Sequence, residues 1–187
     1  LGRRAIRNCR SGPADARQPG EGASVQVREH GTVQLSAAPL IVVRTPPAVD
    51  VSTENAAVYG SIGRGATSIE LGSGGCGDWT VANTAGSMDL SIGGSGSIRA
   101  GTSGRLEDLD GSISGSGTVT VAAVSGSVDS AIGGSGDIRV NGGRPRSVDA
   151  SIGGSGDILV RGDAGALDAS IAGTGDITVT GTVSSLD

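Results

Sequence analysis

The side chains able to do chemistry are few. There is one histidine, His30, and two cysteines, Cys9 and Cys76, beside a set of aspartates that recurs at nearly constant spacing. Asp110, Asp129, Asp149 and Asp168 share one position of a repeated unit, and Asp137, Asp157 and Asp176 share another. Two carboxylates can cleave a glycosidic bond, but only as one distinctive pair at one place. Carboxylates that return identically in every unit are what a structural repeat produces, so a polysaccharide-active enzyme is the weakest reading. No serine lies in a Gly-x-Ser-x-Gly elbow with a histidine placed to serve it. Cys9, Cys76 and His30 are too few to hold zinc. The sequence therefore offers no catalytic residue, no metal site and no cofactor.

The turns between these aspartates, of the type Gly-Gly-Ser-Gly-Asp, invite two further readings. A phosphate loop needs a following helix and a Gly-Lys-Ser/Thr run, and the chain has no lysine. Calcium-binding glycine–aspartate repeats have a nine-residue period, which the spacing here does not fit. Stacked like charges repel, so each aspartate column must be solvated, hydrogen-bonded to turn N–H groups, or bridged by cations. Solvation with local turn capping is the favoured reading, and calcium the alternative.

Those turns belong to a repeat. Units open at Val49, Ile69, Met88, Leu109, Val128, Val148 and Leu167, and successive starts lie 20, 19, 21, 19, 20 and 19 residues apart. The unit from Val148 reads Val-Asp-Ala-Ser-Ile-Gly-Gly-Ser-Gly-Asp-Ile-Leu-Val. Val148, Ala150 and Ile152 alternate with Asp149 and Ser151, and after the turn Ile158 and Val160 alternate with Leu159 and Arg161. A period of two means strands. Two short strands cannot bury a face alone, whereas stacked copies cover one another. The expected fold is all-β: a parallel β-solenoid (β-helix) of about seven coils of 19–21 residues. Its core columns are Ile92, Ile113, Ile132, Ile152 and Ile171 on one side, and Ile98, Val119, Ile138, Ile158 and Ile177 on the other. Two more columns follow, Ala100, Val121, Val140, Val160 and Val179, and Met88, Leu109, Val128, Val148 and Leu167. The glycines of the turns are expected to supply positive φ at sharp corners.

Composition agrees. Of 187 residues 35 are glycine, only Tyr59 and Trp79 are aromatic, and none is phenylalanine, so the core must be built from small branched side chains. The net charge is −5, yet residues 1–20 carry five arginines against Asp15, a net of +4, which leaves −9 for the rest. An acidic body argues against nucleic acid as a ligand. No apolar run is long enough to span a membrane as a helix. The expected organisation is a flexible basic tail over residues 1–22, N-terminal strands capping the solenoid over 23–47, and solenoid repeats over 48–187. Within the cap, strand-like runs are Ser24–Arg28, Thr32–Leu35 and Leu40–Arg44. Leu186-Asp187 reads as the start of another coil, so the far end is expected to lack a cap. Such an end favours a homo-oligomer built through solenoid ends, running on into filaments. Cys9 and Cys76 are either free thiols or a disulfide pair.

From Val49 onward the recurring Ser-Ile-Gly-Gly-Ser-Gly-Asp-Ile and Ser-Ile-Ser-Gly-Ser-Gly-Thr-Val units resemble the auto-transporter adhesin, head GIN domain family, and Ser24–Arg44 is compatible with that family's N-terminal strands. The resemblance implies a bacterial protein of the cell envelope, secreted or at the cell surface, with a β-helical fold. It brings no catalytic residues. Together these readings give a non-enzymatic structural or adhesin-like protein that self-assembles end to end. The rival is a monomeric envelope module that binds a glycan or a surface protein.

Overall fold

The computed structural model describes residues 23–27, 31–35, 47–54, 58–102 and 106–187. His30, Cys9, the basic tail over 1–22 and the expected strand Leu40–Arg44 lie outside them. A hairpin of β1 (Ala23–Val27) and β2 (Gly31–Leu35) comes first. The first coils are β3 (Ala48–Glu54) with β4 (Gly60–Ile62), β5 (Ser68–Ser73) with β6 (Asp78–Thr84), and β7 (Ser87–Ile92) with β8 (Ser97–Thr102). Next come β9 (Leu106–Ile113) with β10 (Thr118–Val121), and β11 (Val124–Ile132) with β12 (Asp137–Val140). The last are β13 (Ser147–Ile152) with β14 (Ile158–Arg161), and β15 (Ala164–Ile171) with β16 (Ile177–Thr180). β17 (Val183–Leu186) opens an eighth turn.

Odd-numbered strands from β3 onward stack into one parallel sheet, and even-numbered strands from β4 onward into a second. The chain is an all-β parallel solenoid. Its register is the sequence repeat itself: Val49 pairs with Ile69, Ile69 with Met88, Met88 with Leu109, Leu109 with Val128, Val128 with Val148, and Val148 with Leu167. At the N-terminal end β1 pairs antiparallel with β3, so the hairpin covers the first edge of the odd-numbered sheet. The edge of that sheet is thereby moved from β3 to β2.

Between the sheets lies a row of aliphatic side chains without charge. Ile92, Ile113, Ile132 and Ile152 are buried, as are Ile98, Val119, Ile138 and Ile158. Each contributes about 1.5–3 kcal/mol by leaving water. The two columns end differently from expectation. Ile171 is 48% exposed and Ile177 only half-buried, because among the described residues no strand lies over the far ends of β15 and β16. Further buried side chains, Ala66, Thr84, Leu106, Val124 and Ala164, lie at or beside corners between even-numbered strands and the coils that follow.

The corner glycines serve a purpose other than the expected one. None of those in the Gly-Gly-Ser-Gly turns has positive φ; among the described residues that conformation belongs to Gly65, Gly143, Gly162 and Gly181. A Cβ on Gly94, Gly115, Gly134, Gly154 or Gly173 would instead overlap the carbonyl oxygen of Gly75, Gly94, Gly115, Gly134 or Gly154, one coil earlier. The turns also carry the ladder around the corner. Ser95, Ser135, Ser155 and Thr174 donate their N–H groups to the carbonyls of Gly75, Gly115, Gly134 and Gly154, at 2.9–3.0 Å. Close backbone stacking, not turn conformation, is what excludes side chains here.

Candidate functional site

The buried interior of the described residues is mainly aliphatic, with Trp79 and a few hydroxyls but no charged side chain, so chemistry is left to the outer faces. On the odd-numbered sheet, outward positions alternate with the core. One of them lines up Asp50, Glu70, Asp89, Asp110, Asp129, Asp149 and Asp168 in a single paired column. Asp187, whose N–H donates to the Leu167 carbonyl at 2.9 Å, follows Leu186 at the next level. Parallel strands place successive members about 4.8 Å apart. On one side runs a column of small residues, Ser91, Ser112, Ala131, Ser151 and Ser170, and on the other Ser87, Asp108, Ser127 and Ser147, a serine column interrupted by one carboxylate. No strand of this sheet contains an arginine.

The electrostatics follow from that geometry. Partial burial first, then the neighbouring Asp110 and Glu70 carboxylates, push the Asp89 carboxyl above the ordinary carboxylate range. Asp108 goes the other way. The hydroxyl and N–H of Ser127 donate to its Oδ1 at 2.6 and 3.2 Å, which favours the charged form. The even-numbered sheet balances its charges. Arg139 pairs with Asp137 at 2.8 Å, the Ser97 hydroxyl donates to Asp78 at 2.6 Å, and the Asp176 N–H donates to Asp157 at 3.1 Å. Of the two aspartate columns read from the sequence, the one through Asp137, Asp157 and Asp176 thus has an ion-paired carboxylate at Asp137 and a hydrogen-bonded one at Asp157, while Asp176 contributes its backbone N–H. The other is a carboxylate ridge.

The geometry also bears on the other readings. With turn N–H groups donating to the coil below, the glycine corners are not open cradles for phosphate. Among the described residues, no group of three or more His, Cys, Asp or Glu is arranged to hold a metal ion. A shallow depression of about 410 Å³ crosses three coils beside the carboxylate ridge and is lined by Ser91, Ser112, Ser114, Gly93, Gly133 and Ala131. Ile92 and Ile113 also line it, so it presents a largely apolar surface with a few hydroxyls and no acid–base pair. Cys76 takes the serine position in the corner between β5 and β6, and Trp79 takes the isoleucine position opposite Ile98.

Sequence reasoning missed the upper half of the carboxylate ridge, Asp50, Glu70 and Asp89. The signal was present, since each directly follows a unit's first residue.

A family model described as "Putative auto-transporter adhesin, head GIN domain" matches residues 20–164. The chain belongs to this family. The match takes in the β1–β2 hairpin as well as the coils up to the start of β15. The adhesin description of the head GIN domain family points to the cell surface or envelope and names no enzymatic activity. No similar protein was found among curated proteins or among solved structures. No helix of the described residues is long and apolar enough to cross a membrane.

Proposed function

We propose that this head GIN domain is a non-enzymatic, adhesin-like rod at the cell surface that meets its partner through a flat lateral face. One observation carries the reading: the outward carboxylates of the odd-numbered sheet form one register-matched column along the solenoid, and among the described residues no single coil gathers a cluster that would mark a reaction site. Seven carboxylates in one column, flanked mostly by small residues, make a broad contact surface rather than a pocket. The test is adherence of particles coated with the purified chain to host cells or to glycan- and protein-coated surfaces. Saturable adherence, competed by the free chain, is expected. Turnover of a polysaccharide that disappears on replacing one carboxylate would overturn the reading.

A second element, end-to-end stacking of copies, draws on the last described coil, β15 with β16. Ile171 and Leu186 are 48% and 74% exposed, while Leu167, Ile177, Val179 and Val183 are half-buried. A further coil laid on them would bury a continuous apolar row. Electron micrographs of the purified protein should show rods longer than one molecule, and particles of single-molecule length at all concentrations would contradict it. The same reading pairs Cys9 with Cys76. No cysteine among the described residues is free, and the chain has only these two. Intact mass without reductant should be lower by two hydrogens than with it, whereas equal masses would show two thiols.

A further inference from the structure

One corner differs chemically from its neighbours. At the end of β14 the chain reads Arg161-Gly162-Asp163 and then enters β15. We propose that this corner is a ligand for a divalent-cation-bearing receptor of the integrin type, one that reads a guanidinium and a carboxylate on either side of a single glycine. The proposal rests on the adhesin reading above and adds to the lateral carboxylate face a second contact point at this corner, with its own class of partner.

Three features support it. First, the tripeptide is exposed and held in shape. Gly162 has φ 131, a conformation that L side chains rarely adopt, so the residue between the two charges must be glycine. The Gly162 N–H donates to the Thr180 carbonyl at 2.9 Å, and the Ala164 N–H to the Thr182 carbonyl at 2.8 Å. A backbone fixed from the adjacent coil loses little freedom on binding.

Second, both charged groups are available. Arg161 is exposed and makes no ion pair or side-chain hydrogen bond among the described residues. The Asp163 side chain is 53% exposed and divides its two oxygens. Oδ1 accepts from the Thr182 N–H at 3.0 Å and from the Thr182 hydroxyl at 2.9 Å. Oδ2 faces only the Arg144 Nε at 3.9 Å, on a side chain that is 86% exposed, a contact of little worth. One oxygen is thereby anchored and the other is open to a hard cation, which accepts single carboxylate oxygens as ligands. The Thr182 bonds also hold the Asp163 carboxyl below its ordinary range, so it stays ionised.

Third, the neighbouring coils lack the combination. Thr180-Gly181-Thr182 lies on one side, and Gly143-Arg144 on the other. Corners at this position vary in length and sequence from coil to coil, and among the described residues only this one sets an arginine and an aspartate on either side of one glycine.

The test is binding of a purified Arg-Gly-Asp-reading integrin ectodomain to the immobilised chain in manganese buffer. Saturable binding is expected, abolished by EDTA and competed by a short linear Arg-Gly-Asp peptide. Arg161→Ala, which removes no contact among the described residues, should weaken binding at least about tenfold. Asp163→Glu should do the same with an unchanged circular dichroism spectrum, while Arg144→Ala should leave binding intact or strengthen it. Absence of saturable binding, or binding indifferent to EDTA and to both variants, overturns the proposal. Coated-particle adherence separates the two readings. Adherence unchanged in Arg161→Ala and Asp163→Glu keeps the adhesin role and removes this corner from it, whereas a wild-type chain that adheres to nothing removes the adhesin role itself.

Discussion

Ile152 and Ile171 occupy the same position of the same unit, one coil apart, and are paired with each other in the sheet. Ile152 is buried and Ile171 is half open to water. Their local sequences, Asp-Ala-Ser-Ile in both cases, are identical. Burial in this fold is therefore a property of the neighbouring coil rather than of the unit that carries the side chain. Stability should accordingly be distributed as nearest-neighbour terms, with inner coils sensitive to substitution and the outermost described coil tolerant.

The largest expected effect attacks the stacking on which this comparison depends. Gly154→Val places a side chain in the carbonyl of Gly134, and no rotamer avoids it. Loss of cooperative unfolding, or failure to accumulate soluble protein, is the outcome anticipated. A variant that melted like the wild type would show that coils need not approach so closely.

Next come the paired isoleucines. Ile152→Ala should cost about 2–5 kcal/mol, the usual range for a cavity in a filled core. Ile171→Ala should cost under about 1 kcal/mol, because much of its side chain is already wet. Urea titration of both variants measures the difference, and equal losses would mean that a covering partner is present in solution.

A smaller effect of opposite sign is expected at Ser130. Its hydroxyl is buried in an inner column between Gly111 and Ala150 and has no hydrogen-bond partner among the described residues. Ser130→Ala should raise stability by about 1 kcal/mol, since it removes an unpaired polar group from the dry interior. A loss of stability in the same urea titration would place a hydrogen-bonded water there.

The smallest effect concerns the carboxylate ridge. A raised pKa means that Asp89 ionises at a cost to the folded state, so its penalty is full above that pKa and fades as pH falls through it. Asp89→Asn should thus stabilise the protein at neutral pH by less than about 1 kcal/mol. The gain should vanish below the unperturbed carboxylate value of 3.8. Melting curves of both proteins across that pH interval check the sign. A gain that persists in acid would assign the effect to something other than charge.

Much of this architecture was legible in the amino-acid sequence. Strand alternation and the interval between Val128, Val148 and Leu167 set both the register and which residues face inward, because a parallel solenoid pairs like with like. The unread parts have physical causes. The buried side chains Leu106, Val124 and Ala164 lie at or beside corners whose length varies between coils, so they break the period. The role of the Gly-Gly-Ser-Gly glycines depends on contacts between coils rather than within one, and a local turn rule does not contain them. The fate of Ile171 depends on what lies above it, which its own unit cannot encode. The corner at Arg161-Gly162-Asp163 occurs once and lies outside the repeated positions, so the period carries no signal for it.

Hydrogen exchange of the turn amides tests most directly whether coils are stacked. If they are, the N–H groups of Ser95, Ser135 and Ser155, bonded to Gly75, Gly115 and Gly134, should exchange as slowly as the flanking strand amides. Should those three serines exchange at the rate of an open loop while the strands stay protected, the glycine-rich units are hairpin turns and the solenoid account is wrong.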